Sequence, residues 1–199
     1  RYLKDEHELK QYLLKQALSE AELHTSTGSQ PLSKDALEEV AKHYSATWAG
    51  EIAKEFEWFG RRCKSLSDCI GRACLSEIPS GRGRGLKRHS HQTRIPRSVL
   101  VEAKVALLDV EAHLAGARTF DDLHSLIETR IGAIPGVGPL LIYDVAQRVG
   151  MYLNLEPSIV YLHTGTRSGA QAIGLDVKRD AIPIEEFPNG LRCLNAAAL

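Results

Sequence analysis

The string Ile134-Pro135-Gly136-Val137-Gly138-Pro139 constrains the fold more than any other feature of this sequence. Two glycines that flank one apolar residue allow positive φ angles and a close approach of the backbone to a partner, because neither carries a side chain. Pro139 suits the first position of a helix, where its missing N–H costs nothing and its φ is already helical. Helix-periodic apolar segments lie on both sides, so the string predicts a tight turn between two helices.

The start of the second helix is a candidate site for an anion. Its first N–H groups have no intrahelical partner, and the helix dipole favours negative charge there, so a phosphate can bind without net positive charge on the protein. The last point matters because the chain has no formal net charge, since Lys plus Arg number 25 and Asp plus Glu number 25. We therefore predict contacts between these backbone amides and the phosphates of a nucleic acid, which are insensitive to base sequence. The predicted contact residues are Pro135, Gly136, Val137, Gly138 and Leu140.

Hydrophobic periodicity predicts helices along most of the chain, which makes the expected fold class all-α, a multi-helix domain. Residues 2–23 predict one helix, and the candidate N-caps of the others are Ser33, Ser67, Ser98 and Thr119. A hydrophobic content of 43% is enough for a core. We expect residues 1–65 to form N-terminal helices packed on the core, with residues 66–199 as the binding region, or one continuous domain.

Residues 78–98 are basic and contain neither Asp nor Glu. Alternating glycines at their start disfavour a helix, so the sequence predicts a flexible basic loop unless a partner orders it. Such a loop can act as an electrostatic arm on DNA, and the alternative is a solvated loop. The candidate DNA-binding residues of this segment are Arg82, Arg84, Lys87, Arg88 and Arg94.

Cys63, Cys69 and Cys74 fall on one helical stripe with apolar residues, which predicts small hydrophobic side chains in a core. Their spacing matches no common zinc or iron–sulfur pattern, so we predict neither a metal nor a cofactor. No run of about 18 apolar residues and no signal-peptide core is visible. We therefore expect a cytoplasmic protein without a membrane partner.

The Ile-Pro-Gly-Val-Gly string between two helices resembles the hairpin of helix-hairpin-helix DNA-binding proteins. A wider similarity, over roughly residues 66–176, resembles DNA glycosylases of the endonuclease III type. This resemblance implies a helix-hairpin-helix element and an enzyme that hydrolyses the N-glycosidic bond of a damaged or modified base. Base excision, DNA repair and action on modified phage DNA follow as expectations.

The chain departs from that family at its catalytic positions. His163, in the string Tyr161–Arg167, stands where the family has a catalytic Asp, and Leu140 stands where bifunctional members have a Lys. Leu140 cannot form a Schiff base, so the resemblance implies a monofunctional enzyme. We predict His163 as the base or positioning group and Asp144 as the carboxylate that stabilises a cationic sugar. The alternatives are a hydrogen-bonded structural histidine and an aspartate with a solvent-facing or buried capping role.

The residues around His163 form a glycine-containing string just before a predicted helix. Such a place suits another phosphate contact, and an Arg that packs over a helix end is the alternative. The DNA-binding candidates here are Thr164, Thr166 and Arg167. Two other function classes stay open, a non-catalytic DNA-binding module and an interaction protein. Base release from modified duplexes separates the first from an enzyme, and salt-sensitive DNA affinity separates the second from both.

Overall fold

The computed structural model describes residues 34–80 and 85–197, and within them the chain is largely helical. The α-helices are α1 (Lys34–Glu55), α2 (Leu66–Leu75), α3 (Arg97–Leu108), α4 (Glu111–Ala115), α5 (Phe120–Ile131), α6 (Pro139–Leu153) and α7 (Thr164–Ala172). A π-helical turn, Phe56–Arg61, follows α1, and two 3-10 turns cover Ser90–Gln92 and Ile184–Glu186. No helix in the described ranges is long and apolar enough to cross a membrane.

Two short antiparallel sheets correct the all-α prediction to a largely α class. Strands β1 (Glu77–Pro79) and β2 (Leu86–Arg88) pair with Ile78 opposite Lys87. Strands β3 (Ile159–Tyr161) and β4 (Ala181–Pro183) pair with Val160 opposite Ile182. The predicted loop over residues 78–98 thus contains a strand pair and a 3-10 turn, because backbone pairing satisfies N–H and C=O groups where glycines prevent a helix.

Several helix starts follow local hydrogen-bonding chemistry. Thr119 is confirmed as the N-cap of α5, since its hydroxyl accepts from the amide of Asp122 at 3.1 Å and the Asp122 carboxylate returns a bond to the Thr119 amide. The cap of α2 is Ser65 rather than Ser67, because the Ser65 hydroxyl accepts from the amide of Asp68.

Two other predicted caps have different outcomes. Helix α3 begins after Pro96, whose carbonyl accepts from the first-turn amides, and Ser98 lies inside the helix rather than capping it. The predicted cap Ser33 and the predicted helix over residues 2–23 lie outside the described residues. The helix expected to follow Ser33 is present as α1, and it passes into the π-helical turn before Phe59.

The described contacts divide the chain into two compact units. Of the described residues, unit 1 comprises 34–49 and 158–197, and unit 2 comprises 50–80 and 85–157. The sequence prediction instead divided the chain at residue 65. The difference arises because residues 34–49 share a core with residues 158–197, a pairing of distant segments that hydrophobic periodicity cannot reveal.

Unit 2 holds the core of α2, α3, α5 and α6. Cys69 and Cys74 are fully buried there, as predicted, whereas Cys63 is half-buried and lies before the N-cap of α2, so the three cysteines do not share one helical stripe. The π-helical turn packs closely on α6, since a Cβ atom on Gly60 would lie 2.9 Å from the carbonyl oxygen of Met151. The largest fully buried side chains of this unit are Phe59, Phe120, Ile70, Leu100, Leu107, Leu114, Leu123, Ile127, Ile131, Leu141 and Gln92.

Unit 1 has its own small core. Leu37 and Ala41, from the first turns of α1, are buried together with residues of β3, α7, β4 and the segment after β4. Close packing is required at Gly190, where an added Cβ atom would lie 2.7 Å from the Lys34 carbonyl oxygen. The remaining buried members are Val160, Leu162, Ala170, Ile182, Phe187, Leu191 and Ala196.

Candidate nucleic-acid interface

The segment between α5 and α6, residues 132–138, forms the turn that we call the hairpin turn. It is held by backbone hydrogen bonds from Ile134 to the Ile131 carbonyl and from Val137 to the Ile134 carbonyl, each 3.0 Å long. Gly136 has a φ of 93°, in the left-handed region that side chains disfavour. This backbone conformation therefore requires glycine at position 136.

Helix α6 starts directly after the turn. Gly138 is its extended N-cap, and Pro139 is confirmed at the start of the helix. The amides of Leu141 and Ile142 both donate to the Gly138 carbonyl, at 3.0 and 3.2 Å. Pro139 has no N–H to leave unpaired, which reduces the cost of starting the helix here.

Several amides of this region are open. Within residues 34–80 and 85–197, no acceptor is found for the N–H groups of Gly136, Gly138 and Leu140. Pro135 and Gly136 are exposed, while Val137, Gly138 and Leu140 are half-buried. Open amides at the positive end of a helix can donate to the oxygens of a phosphate or carboxylate.

The hairpin turn lies beside the start of α3. A Cβ atom on Gly136 would be 3.4 Å from Cγ2 of Val99, in the first turn of that helix. Arg97 is the first residue of α3, and its exposed guanidinium is 3.9 Å from the Glu77 carboxylate. Arg97 belongs to the basic segment over residues 78–98, but it was not among the predicted binding residues. Its distance along the chain from the hairpin concealed their proximity.

The basic candidates before α3 have different surroundings. Lys87 and Arg94 are exposed, whereas Arg88 is half-buried and donates from Nη1 to the Ile95 carbonyl at 2.9 Å. Arg82 and Arg84 lie outside the described residues. Lys87, Arg94 and Arg97 thus present cationic groups to solvent, while Arg88 also fixes the chain that leads into α3.

Asp144, on α6, is a buried carboxylate that belongs to a polar network. Its Oδ2 atom accepts a hydrogen bond from Nε2 of Gln92 and lies 3.6 Å from Nη2 of Arg148. Only 7% of Asp144 is exposed. A carboxylate in this setting neutralises Arg148 and holds Gln92, and it would have to leave both to contact a sugar.

The same network, here called the buried polar network, comprises Ser76, Gln92, Asp144 and Arg148. Ser76 Oγ donates to Gln92 Oε1 at 2.6 Å, and Arg148 Nη1 donates to Ser76 Oγ at 3.0 Å. Arg148 also donates to the Ala73 carbonyl at 3.3 Å. The network therefore joins the segments after α2 and after β2 to α6. Sequence reasoning missed Ser76 and Gln92 because they lie far from α6 along the chain. It also missed Arg148, although the i, i+4 spacing of Asp144 and Arg148 is a local signal of an ion pair on one helix.

His163 lies in unit 1, directly before α7. Its amide donates to Oγ1 of Thr166 at 2.9 Å, and this hydroxyl in turn donates to the Tyr161 carbonyl at 2.9 Å. Thr166 thus caps the start of α7 from inside the helix. Thr164 is the first residue of α7. His163 and Asp144 belong to different units.

Arg167 spans the loop between α7 and β4 with its guanidinium. Nη1 donates to the carbonyls of Val177 and Arg179, the latter at 3.1 Å, and Nη2 donates to the Leu162 carbonyl at 3.0 Å. Asp180 Oδ1 lies 3.5 Å from Nη2. These bonds stabilise the unit 1 backbone, and Arg167 would have to exchange some of them to bind a phosphate.

Comparison with known proteins gives no relative from which a role can be carried over. No family model, no curated protein and no solved structure matches the chain. In the described part of the chain, no group of three or more His, Cys, Asp or Glu side chains is arranged to hold a metal ion. The functional argument therefore depends on the residues of the hairpin turn and their surroundings.

Proposed function

We propose that this chain binds the sugar–phosphate backbone of DNA at the hairpin turn and the first turn of α6. The observation that carries the proposal is the set of open amides at Gly136, Gly138 and Leu140. Amides at a helix N-terminus match the oxygens of a phosphate in both hydrogen bonding and charge. Contacts of this kind recognise the backbone and carry no base specificity.

The residues around the turn support this proposal. Gly136 and Gly138 leave the approach to the amides without side chains. Arg97 begins the helix that contacts the turn through Val99, and Lys87 and Arg94 are exposed cations of the preceding segment. The chain has a formal net charge of zero, so these exposed cations would supply the positive potential that guides a polyanion.

The test uses a substitution that the fold accommodates. Gly138 has an extended backbone, and no atom lies within 4 Å of an added Cβ. Gly138→Val therefore adds a branched side chain beside the open amides at a position where the Cβ atom meets no neighbour. A charge-assisted hydrogen bond contributes about 1.5–3 kcal/mol, so losing one weakens binding about tenfold to a hundredfold. Fluorescence anisotropy of a labelled duplex, titrated at several salt concentrations, measures the change.

A matched control distinguishes this effect from general damage. Gly50 is exposed in α1 and likewise has no atom within 4 Å of an added Cβ. Gly50→Val is expected to bind as the wild type does, and thermal melts of both variants verify folding. Equal affinity of Gly138→Val and wild type for the duplex would show that the hairpin turn does not contact DNA. Absence of salt-sensitive DNA affinity in the wild type would refute the proposal itself.

A further inference from the structure

Cys63 and Cys69 form a pair of thiols at the start of α2. Each thiol influences the ionisation of the other. Cys63 lies two residues before the N-cap Ser65, and Cys69 lies in the second turn of the helix. Cys63 is half-buried and Cys69 is fully buried. Cys63 is therefore the more accessible residue of the pair, and Cys69 is shielded from solvent.

Each sulfur also has a backbone partner. Cys63 Sγ lies 3.8 Å from the Trp58 carbonyl oxygen, and Cys69 Sγ lies 3.5 Å from the Arg148 carbonyl oxygen. A thiol hydrogen can rotate between such acceptors. When Cys63 loses its proton, the Cys69 thiol can donate to the new thiolate, which is a stronger acceptor than a carbonyl.

The charges around the pair favour a thiolate on Cys63. The pKa of Cys63 is lowered, first by the hydrogen bond from Cys69 and also by the positive charge of Arg72, against the effects of burial and of Asp68. Arg72 is held in place by two bonds to Asp68, at 3.0 and 2.8 Å, and by the Trp58 ring, 4.4 Å from its guanidinium carbon. The pKa of Cys69 is raised by its bond to Cys63 and by burial.

We infer that Cys63 and Cys69 are an oxidative modification site at which hydrogen peroxide produces an intramolecular disulfide. The placement assigns different roles to the two thiols, with Cys63 as the sulfur that peroxide oxidises and Cys69 as the resolving thiol. This inference is independent of DNA binding.

The chemistry proceeds in two balanced steps. The Cys63 thiolate attacks one peroxide oxygen, the O–O bond breaks, and the released hydroxide takes up the thiol proton as water. Cys63 is then a sulfenic acid, oxidised by two electrons. Cys69 sulfur attacks the Cys63 sulfur, the S–O bond breaks, and the leaving hydroxide takes the Cys69 proton as a second water. The sum converts two thiols and one peroxide into one disulfide and two waters.

The other two cysteines provide internal comparisons. Cys74 lies in the same helix and is fully buried, and burial raises its pKa to about 12. It should stay a thiol under conditions that oxidise the pair. Cys193 is exposed in unit 1. It should be reached by peroxide as an isolated thiol.

Peptide mapping of the wild-type protein tests the inference directly. The protein is treated with hydrogen peroxide, its remaining thiols are alkylated in denaturant, and it is digested with trypsin without reduction. Cleavage after Arg62, Lys64 and Arg72 separates Cys63 from Cys69 and both from Cys74. The expected product is the 63–64 peptide linked to the 65–72 peptide, which reduction separates. Recovery of both peptides in alkylated form after Cys193 has been oxidised would overturn the inference.

Single substitutions test the two roles. In Cys69→Ser the sulfenic acid on Cys63 has no resolving thiol, so dimedone should label Cys63 and the label should exceed that in the wild type. Cys74→Ser, the matched control from the same helix, should still form the 63–69 link. Equal dimedone labelling of wild type and Cys69→Ser would contradict the assignment of Cys69. The wild-type peptide map stays decisive if a variant fails to fold.

Discussion

Replacement of Asp144 tests whether the buried polar network stabilises the protein. Asp144→Asn keeps the shape of the side chain and an oxygen for Gln92, but removes the charge that faces Arg148. Both side chains are almost fully buried, 3% exposed for Arg148 and 9% for Asp144. Removing one partner of a buried ion pair costs about 3–5 kcal/mol, and we expect the lower end because one hydrogen bond is kept.

A double-mutant cycle isolates the pair. Urea unfolding followed by far-UV circular dichroism gives the free energy of unfolding for wild type, Asp144→Asn, Arg148→Met and the double variant. Met fills part of the volume of the Arg stem without a charge. We expect the double variant to lose less stability than the two single losses added together, by about 1–3 kcal/mol, because each single change leaves an unpaired buried group.

The control is Glu102→Gln, which removes an exposed carboxylate from α3. A surface change of this kind should alter stability by no more than about 0.5 kcal/mol. Additive losses at Asp144 and Arg148 would show that the two residues do not act as a pair. A stable Asp144→Asn variant would make Asp144 a catalytic candidate again, because a structural carboxylate of this kind cannot be neutralised without cost.

The remaining predictions concern DNA. Replacing Lys87, Arg94 and Arg97 with Ala should lower the slope of log affinity against log salt, by at most about 0.9 for each phosphate that is no longer neutralised; an unchanged slope would make these residues a solvated surface. The predicted base excision is tested by a mass-spectrometric search for free bases released from damaged and phage-modified duplexes. If His163 is the base, His163→Ala should lose release and keep binding, whereas release at the wild-type rate would exclude that role.

Local chemistry made part of the fold predictable. Thr119 and Pro139 were placed correctly because a capping hydroxyl and a first-turn proline act within a few residues. The cap of α2 was misplaced by two residues because both Ser65 and Ser67 are suitable. The deciding residue is Asp68, whose carboxylate also accepts from the Lys64 amide at 2.9 Å. The short strands were missed because three residues give no reliable alternation.

The candidate site was predictable only in its local component. The Gly136 and Gly138 turn could be placed from sequence because positive φ and helix initiation depend on neighbouring residues. The contact with Val99 and the bond from Gln92 to Asp144 join residues that are far apart along the chain. Such pairs depend on tertiary packing, so the sequence left a catalytic, a solvent-facing and a buried role open for Asp144, and in the structure it is a buried ion-pair partner.

The discontinuous composition of unit 1 affects how the chain folds during synthesis. Unit 2 is continuous from Gly50 to Pro157, so all its contacts can form once that stretch has left the ribosome. Leu37 and Ala41 emerge earlier, but their core partners follow residue 157. During that interval the first turns of α1 expose apolar side chains while unit 2 is already complete. We therefore expect the start of α1 to be accessible to chaperones in the nascent chain until the core partners after residue 157 have emerged.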